Sequence, residues 1–118
     1  MSKGHYYEAI AARHVQRAGL QVLQHNFRCR VGEIDLVCRD GDCLVFIEVR
    51  YRTHRSHAGA LGSVTRAKQL RILRSAQVFL QRRGLLSGAR CRFDVIAITP
   101  GAGGAADEIQ WLRHAFTL

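Results

Sequence analysis

Apolar and small residues recur at helical spacing in two stretches of the chain. The first stretch covers residues 6–18 and stops at Gly19, a residue typical of helix ends. The second covers about residues 64–83, and its apolar stripe comprises Leu70, Leu73, Ala76 or Gln77, and Leu80. Both patterns predict amphipathic helices with one face against a core.

Short apolar runs bounded by turn residues predict the strands. They cover residues 20–29, 31–39, 44–51 and 91–99, with a last short strand near 109–112. Asp40-Gly41 is a strong signal for a two-residue hairpin loop between the second and third strands. The order αβββαβ, with the short strand added at the end, predicts one α/β domain over residues 1–118. Its mixed central sheet would be flanked by helices.

The predicted central hairpin contains acidic residues, which are poor strand formers and are seldom buried unless paired. A loop at Asp40-Gly41 sets Asp35 opposite Phe46, and Glu33 opposite Glu48. Directly paired residues share a face, and side chains alternate with a period of two. The polar side chains that then project from one face of the sheet are Glu33, Asp35, Glu48 and Arg50.

In that register Asp35 and Glu48 are diagonal neighbours, about 7–8 Å apart at the backbone, so their carboxylates can converge on one ion. Leu44 and Phe46 lie on the same face, which is therefore partly covered. Carboxylates that share a covered place repel each other unless a cation lies between them. Such oxygen ligands suit Mg²⁺, which also accepts water and phosphate. The alternative is a solvated face on which Arg50 pairs with an acid.

The first helix adds one more acidic candidate. Glu8 shares an arc with Ala11, Ala12 and Val15, beside the apolar stripe, so its side chain is expected to point toward the sheet. A surface glutamate in a first helical turn, where it interacts favourably with the helix dipole, explains the residue equally well.

The chain is strongly basic, with 18 Lys and Arg against 9 Asp and Glu and a formal charge of +9. Such a surface attracts polyanions, of which nucleic acid is the commonest inside cells. Nearly all of these cations are arginine, so a preference of the source genome contributes to the number. An acidic protein partner or an anionic lipid surface fits the same charge.

Other sequence features indicate where the protein is located and what its cysteines do. No run of about 18 apolar residues is present, which argues against a membrane span, and the N-terminus is too polar for a secretory signal. Cytoplasm is the expected location. The four cysteines form no Cys-x-x-Cys pair, so zinc-site spacing is missing and the thiols are interpreted as small apolar residues.

An ordered set of motifs resembles the YraN-like bacterial proteins over nearly the whole chain. The set comprises Gly4-x-x-x-Glu8-x-x-Ala11, Asn26-x-Arg28, GEIDLV from Gly32, LVFIEVR from Leu44, the Lys68 helix, RFDVIAI from Arg92 and the closing HAFTL. This resemblance implies the fold of restriction endonucleases and Holliday-junction resolvases, the PD-(D/E)xK nuclease superfamily. A restriction-endonuclease-like mixed sheet is therefore expected.

The resemblance also assigns roles to single residues. Asp35 takes the place of the motif's aspartate, Glu48 that of its Asp-or-Glu, and Glu8 that of the glutamate from the first helix. These acids are expected to hold Mg²⁺ or Mn²⁺ at a phosphodiester. Arg50 stands where the motif has lysine, and arginine cannot act as a base although it can clamp a phosphate. Either Arg50 acts only through its charge, or Lys68 supplies an amine from the second helix. A solvated side chain is the alternative for Lys68.

The expected function is metal-dependent hydrolysis of phosphodiesters in DNA, branched or single-stranded. Residues expected to contact the nucleic acid are Arg52, Arg55, Lys68, Gln69 and Arg71. One alternative is a nucleic-acid-binding module that kept the fold and lost efficient chemistry, which Arg50 favours. The other is a small adaptor for an acidic protein. Resolvase-like relatives act as dimers, so a homodimer is also an expectation, with no interface identified.

Overall fold

The computed structural model describes residues 3–52, 64–85 and 88–117. Its elements, in chain order, are α1 (Lys3–Arg17), β1 (Gln21–Cys29), β2 (Gly32–Asp40), β3 (Cys43–Tyr51), α2 (Arg66–Arg82), β4 (Arg90–Thr99) and β5 (Glu108–Leu112). The predicted order of helices and strands is confirmed, and each boundary lies within about three residues of its prediction. Neither helix is long and apolar enough to cross a bilayer, among the residues described.

The five strands form one open sheet in the order β1-β2-β3-β4-β5. Strands β3 and β4 run parallel, while the other neighbouring pairs are antiparallel. The parallel pair requires a crossover, which α2 supplies. The prediction of a mixed α/β sheet with flanking helices is therefore confirmed. The beginning of β2 and the end of β3 lie next to each other at one end of the strands, and the acidic residues lie near that end.

Each face of the sheet carries its own apolar core. The face under α2 packs a buried set that includes Phe27, Phe46, Phe79 and Val95. The opposite face packs α1 through a set that includes Tyr7, Val15, Leu36, Ile47 and Ile96. The stripe of α2 uses Ala76, which is buried, whereas Gln77 is exposed. The four thiols are free, and Cys38 is fully buried while the other three are partly buried.

The turn between β2 and β3 starts one residue later than predicted. Gly41 and Asp42 form the loop, and Asp40 pairs with Cys43. The predicted partnerships of Asp35 with Phe46 and of Glu33 with Glu48 are therefore wrong, since Phe46 pairs with Val37.

The physical reason is that the Asp-Gly signal marks a turn without fixing which residue opens it. Gly41, with φ of 60°, takes the first loop position, where positive φ is needed, and Asp40 stays in the strand. The shift moves every partner by two positions, so the assignment of side chains to faces is unchanged. Asp35 and Glu48 still share a face.

Candidate metal and phosphate site

Asp35 and Glu48 meet on the α2 face of the sheet. The paired register of β2 and β3 ends at Leu36–Ile47, and Asp35 and Glu48 are the next residue on each strand beyond that pair. A hydrogen bond joins the two side chains, and Asp35 Oδ2 also accepts one from Val49 N at 2.8 Å. Glu48 is 5% exposed. Two carboxyl groups therefore touch in a place where one is buried and the other is partly buried.

Their contact changes the protonation of the pair. Burial raises the pKa of Asp35 to about 9, with further contributions from the hydrogen bond and the charge of Glu48. The Val49 N–H lowers that pKa, and the charge of Glu8 raises it slightly. Two ionised carboxylates cannot share so small a space, so one proton stays between them at neutral pH. A divalent cation can replace that proton and allow both groups to ionise.

Lys68 reaches this pair from the first turn of α2. Its Nζ lies 2.9 Å from Glu48 Oε2, and its side chain is 36% exposed. Thr65 caps the helix, and its Oγ1 accepts a hydrogen bond from Lys68 N at 3.2 Å. The cap fixes the backbone from which the amine projects. The structure thus places Lys68 at the acids and not in open solvent.

Glu8 lies close enough to affect Asp35 electrostatically, and its Oε1 is buried without a hydrogen-bond partner in the described parts of the chain. Apart from the ion pair with Lys68, Glu48 Oε2 also lacks a hydrogen-bond partner there. Buried oxygens without donors are costly, and a bound cation would satisfy them.

The ligand set is nevertheless smaller than the resemblance implies. Within residues 3–52, 64–85 and 88–117, no three His, Cys, Asp or Glu residues form a group that could hold a metal ion. Glu8 therefore does not join Asp35 and Glu48 in a three-residue cage. The two remaining carboxylates match the one or two that Mg²⁺ typically takes, with waters and phosphate completing its shell. On donor chemistry, the pair fits Mg²⁺ or Mn²⁺.

The expected basic residues have different positions. Arg50 is half-buried near the end of β3, on the same face as Glu48. Arg52 follows the strand, and its backbone N donates to Ile98 O at 2.9 Å. Arg71 is exposed on α2, one turn after Lys68. Arg55 lies outside the described residues. Arg50 and Arg71 therefore lie on elements that border the carboxyl pair, and Arg52 lies just beyond the end of β3.

Gln69 is already engaged within its own helix. Its Nε2 donates to Val64 O at 3.1 Å, and its Oε1 accepts from Arg66 Nη1 at 3.1 Å. Contact with water or substrate would require exchange of these bonds. The side chain helps to hold the first turn of α2.

A second buried cluster of charges was not predicted from the sequence. Asp94 is fully buried, and it accepts hydrogen bonds from Arg92 Nε, from Trp111 Nε1 at 2.9 Å and from His114 N at 3.1 Å. Arg92 also pairs with Asp40 at 2.8 Å. The sequence feature that could have indicated this cluster is an Arg and an Asp two positions apart in an otherwise apolar strand. Asp94 pairs with Ile47, so it faces the α1 side, away from Asp35 and Glu48. Its bonds join strands together.

The fold and this site define an α/β protein with a largely buried carboxyl pair and an adjacent lysine. Residues 7–98 match the profile described as "Uncharacterised protein family UPF0102". The chain belongs to that family, which confirms the expected YraN-like membership. It is 49% identical to the UPF0102 protein of Stutzerimonas stutzeri, over 98% of this chain and 94% of the relative. The UPF0102 protein of Alkalilimnicola ehrlichii is also 49% identical, over 99% and 88%. That of Pseudomonas fluorescens is 50% identical, over 92% and 88%.

Proposed function

We propose that this protein is a metal-dependent phosphodiesterase of the restriction-endonuclease-like class, acting on DNA. The observation that supports this most directly is the contact between Asp35 and Glu48, with Lys68 Nζ 2.9 Å from the glutamate. A buried acid pair on adjacent strands is unfavourable unless a proton or a cation separates the charges. Strongly perturbed acids with a specific charged partner also mark candidate functional sites.

Each residue has a distinct role in this proposal. Asp35 and Glu48 would hold the cation, which when bound supplies a water of lowered pKa and neutralises charge that builds on the phosphate. Lys68 adds a positive charge beside Glu48, where it can orient water or hold a phosphate oxygen. Arg50 remains protonated and binds phosphate through charge-assisted hydrogen bonds. Lys68 therefore takes the part for which the superfamily motif uses a lysine in the strand.

The charge of the molecule supports a nucleic-acid substrate. The formal charge is +9, and Arg71 and Arg74 are exposed on the helix that carries Lys68. Each phosphate that such residues neutralise releases condensed counterions, so affinity should fall steeply with salt. Contacts of this kind are largely independent of base sequence. The adaptor alternative predicts no such binding.

A second candidate function is nucleic-acid binding without efficient cleavage. It is favoured by Arg50, because arginine cannot deprotonate a water. In that case the carboxyl pair would be a remnant of the catalytic site. Binding would persist while hydrolysis would be absent.

A cleavage assay separates these possibilities. Wild-type protein, Asp35→Asn and the matched control Asp42→Asn, an exposed acid in the β2–β3 turn, are incubated with single-stranded, duplex and branched DNA in Mg²⁺ and in Mn²⁺. We expect metal-dependent cleavage by wild type and Asp42→Asn, and loss of at least about 10²-fold in Asp35→Asn. Binding without cleavage of any DNA or RNA would favour the non-catalytic module. No binding at low salt would favour the adaptor.

A further inference from the structure

The turn between β1 and β2 exposes an unusual combination of residues. We call residues 28–33 the β1–β2 tip; they line a shallow concave surface. Arg28 and Arg30 are exposed, and Val31 between them and β2 is 41% exposed. Only two other large apolar side chains, among those described, are as open to solvent. An apolar residue next to two exposed arginines suits a surface that contacts both charged and uncharged parts of a polyanion.

The β1–β2 tip is fixed in place by several contacts. Cys29 pairs with Gly32, and its Sγ donates to Gly32 O at 3.5 Å. Gly32 in turn packs on α2 so closely that a Cβ there would lie 3.0 Å from Ser75 Oγ and 3.6 Å from Arg71 Cβ. A Cβ would therefore crowd the Ser75 hydroxyl, and the positive φ of 155° also favours glycine at this position. A surface held so firmly loses little conformational entropy when a ligand binds.

The same contacts place the tip beside the carboxyl pair. Gly32 is three residues before Asp35 in β2, a separation of about 10 Å along an extended strand. Arg71, which a Cβ on Gly32 would contact, is one helical turn from Lys68, about 4.5 Å along the axis of α2. A distance of about 10 Å is short enough for one nucleic-acid strand to reach both places. The tip and the carboxyl pair can therefore contact one strand at two points.

The charges on the tip are available to a ligand. Arg30 makes no hydrogen bond or ion pair with any residue in the described ranges. Arg28 pairs with Glu33 at 3.4 Å, but both side chains are mostly exposed, 72% and 57%. Exposed pairs of this kind contribute little and exchange readily for a stronger partner. A phosphate, which arginine binds in bidentate fashion, is such a partner.

We infer that the β1–β2 tip binds the backbone of the substrate strand, a short distance along that strand from the phosphate held at Asp35 and Glu48. Arg28 and Arg30 contact two phosphates, and Val31 packs against the sugar that lies between those phosphates. This inference rests on the proposed function and adds a requirement for substrate length. An oligonucleotide that ends before the tip lacks these contacts and binds more weakly.

The test is a length series of single-stranded DNA, from two to ten nucleotides, measured by fluorescence anisotropy in Mn²⁺ at several salt concentrations. Wild type, Arg30→Ala, Val31→Ser and the control Arg13→Ala are compared; Arg13 is exposed on α1, on the other side of the sheet. Wild-type affinity should rise once the strand is long enough to span from the carboxyl pair to the tip. Arg30→Ala should reduce that rise and lower the salt slope by about one. Val31→Ser should reduce the rise without changing the slope, because an apolar contact releases no counterion.

Equal affinities of Arg30→Ala and Arg13→Ala at every length, in a series where wild type binds, would overturn the role of the tip alone. Hydrolysis of the small diester bis(p-nitrophenyl) phosphate provides the separate readout. This hydrolysis depends on the carboxyl pair. The diester is too small to reach the β1–β2 tip, so Arg30→Ala should leave the rate of its hydrolysis unchanged. A fall in this activity in Arg30→Ala would contradict the inference. A wild type that binds no oligonucleotide and cleaves no diester would overturn both proposals.

Discussion

Asp35 has a second acid and a backbone N–H as its immediate neighbours, and each acts on its ionisation. Glu48 and burial favour the protonated form, while Val49 N–H favours the ionised form. Lys68 offsets the charge of Glu48 across 2.9 Å. The protonation of Asp35 therefore changes with pH, which makes it the most informative single position in the molecule.

The first prediction concerns pH. The pKa of Asp35 is about 9 in the folded protein against an ordinary value of 3.8, so the folded state binds more protons between these limits. The contribution of Asp35 to the free energy of unfolding is fully present below about pH 4 and is lost as the pH rises toward 9. Urea unfolding in EDTA should show wild type losing stability relative to Asp35→Asn from pH 5 to pH 9. A difference that stays constant over this range would contradict the prediction, and Asp42→Asn is the control.

The second prediction separates Lys68 from Arg50. If Lys68 supplies the amine, Lys68→Ala should lower cleavage by roughly 10²–10⁴-fold, the range that general acid–base assistance contributes. Arg50→Lys should change little, and Arg50→Ala should weaken both substrate binding and rate because a phosphate contact is lost. Steady-state kinetics with circular dichroism as a folding check measures all three. A large gain of activity in Arg50→Lys would instead show that the strand position limits the chemistry.

At the scale of elements, α2 covers one of the two apolar cores and also places Lys68 beside Glu48. Its first turn is held by the Thr65 cap and by the bonds of Gln69 to Val64 and Arg66. The buried stripe then continues through Ile72 and later residues. Local capping therefore affects the position of an amine that faces the sheet.

The third prediction tests this link. Thr65→Ala should lower the free energy of unfolding by about 0.5–2 kcal/mol, because Lys68 N loses its acceptor at the helix start. Cleavage should fall as well, since the turn that carries the amine frays, while Thr65→Ser should retain both properties. Chemical denaturation and the cleavage assay provide the two readouts. Unchanged stability in Thr65→Ala would show that the cap is not required.

Much of this architecture was predictable because periodicity is a local property. Spacing of apolar residues located both helices, and short apolar runs located all five strands, with small errors at the ends. The position of the β2–β3 turn was wrong by one residue because Asp40-Gly41 and Gly41-Asp42 are both good turn dipeptides. The error moves every strand partner by two positions, so the alternation of side chains between the two faces is unchanged. Asp35 and Glu48 were therefore correctly assigned to one face. The approach of Lys68 to Glu48 depends on how α2 crosses the sheet, which no local pattern specifies.

At the scale of the whole molecule, the buried charges of Arg92 and Asp94 connect distant parts of the chain. They join β4 to Asp40 at the end of β2, to Trp111 in β5 and to the backbone of His114. Every oxygen of Asp94 has a donor, so the carboxylate is stable although it is fully buried. Sequence patterns do not reveal such a network because its members are separated by up to 74 positions, from Asp40 to His114.

The fourth prediction concerns this network. Asp94→Ala should lower the free energy of unfolding by about 3–5 kcal/mol, since it leaves the buried Arg92 guanidinium without a main partner. Asp42→Ala, at an exposed turn position, should change it by no more than about 0.5 kcal/mol. Urea unfolding followed by circular dichroism measures both. Similar midpoints for the two variants would mean that the network contributes little to stability.

The central claim is that Asp35 and Glu48 together bind a divalent cation. Water-proton relaxation during Mn²⁺ titration measures that binding directly, without any assumption about substrate. Wild type and Asp42→Asn should each bind one Mn²⁺ weakly at pH 7.5, as expected for two carboxylates with water completing the shell. Asp35→Asn, folded by circular dichroism, should lose this binding. Equal Mn²⁺ binding by wild type and Asp35→Asn would contradict the assignment of the site.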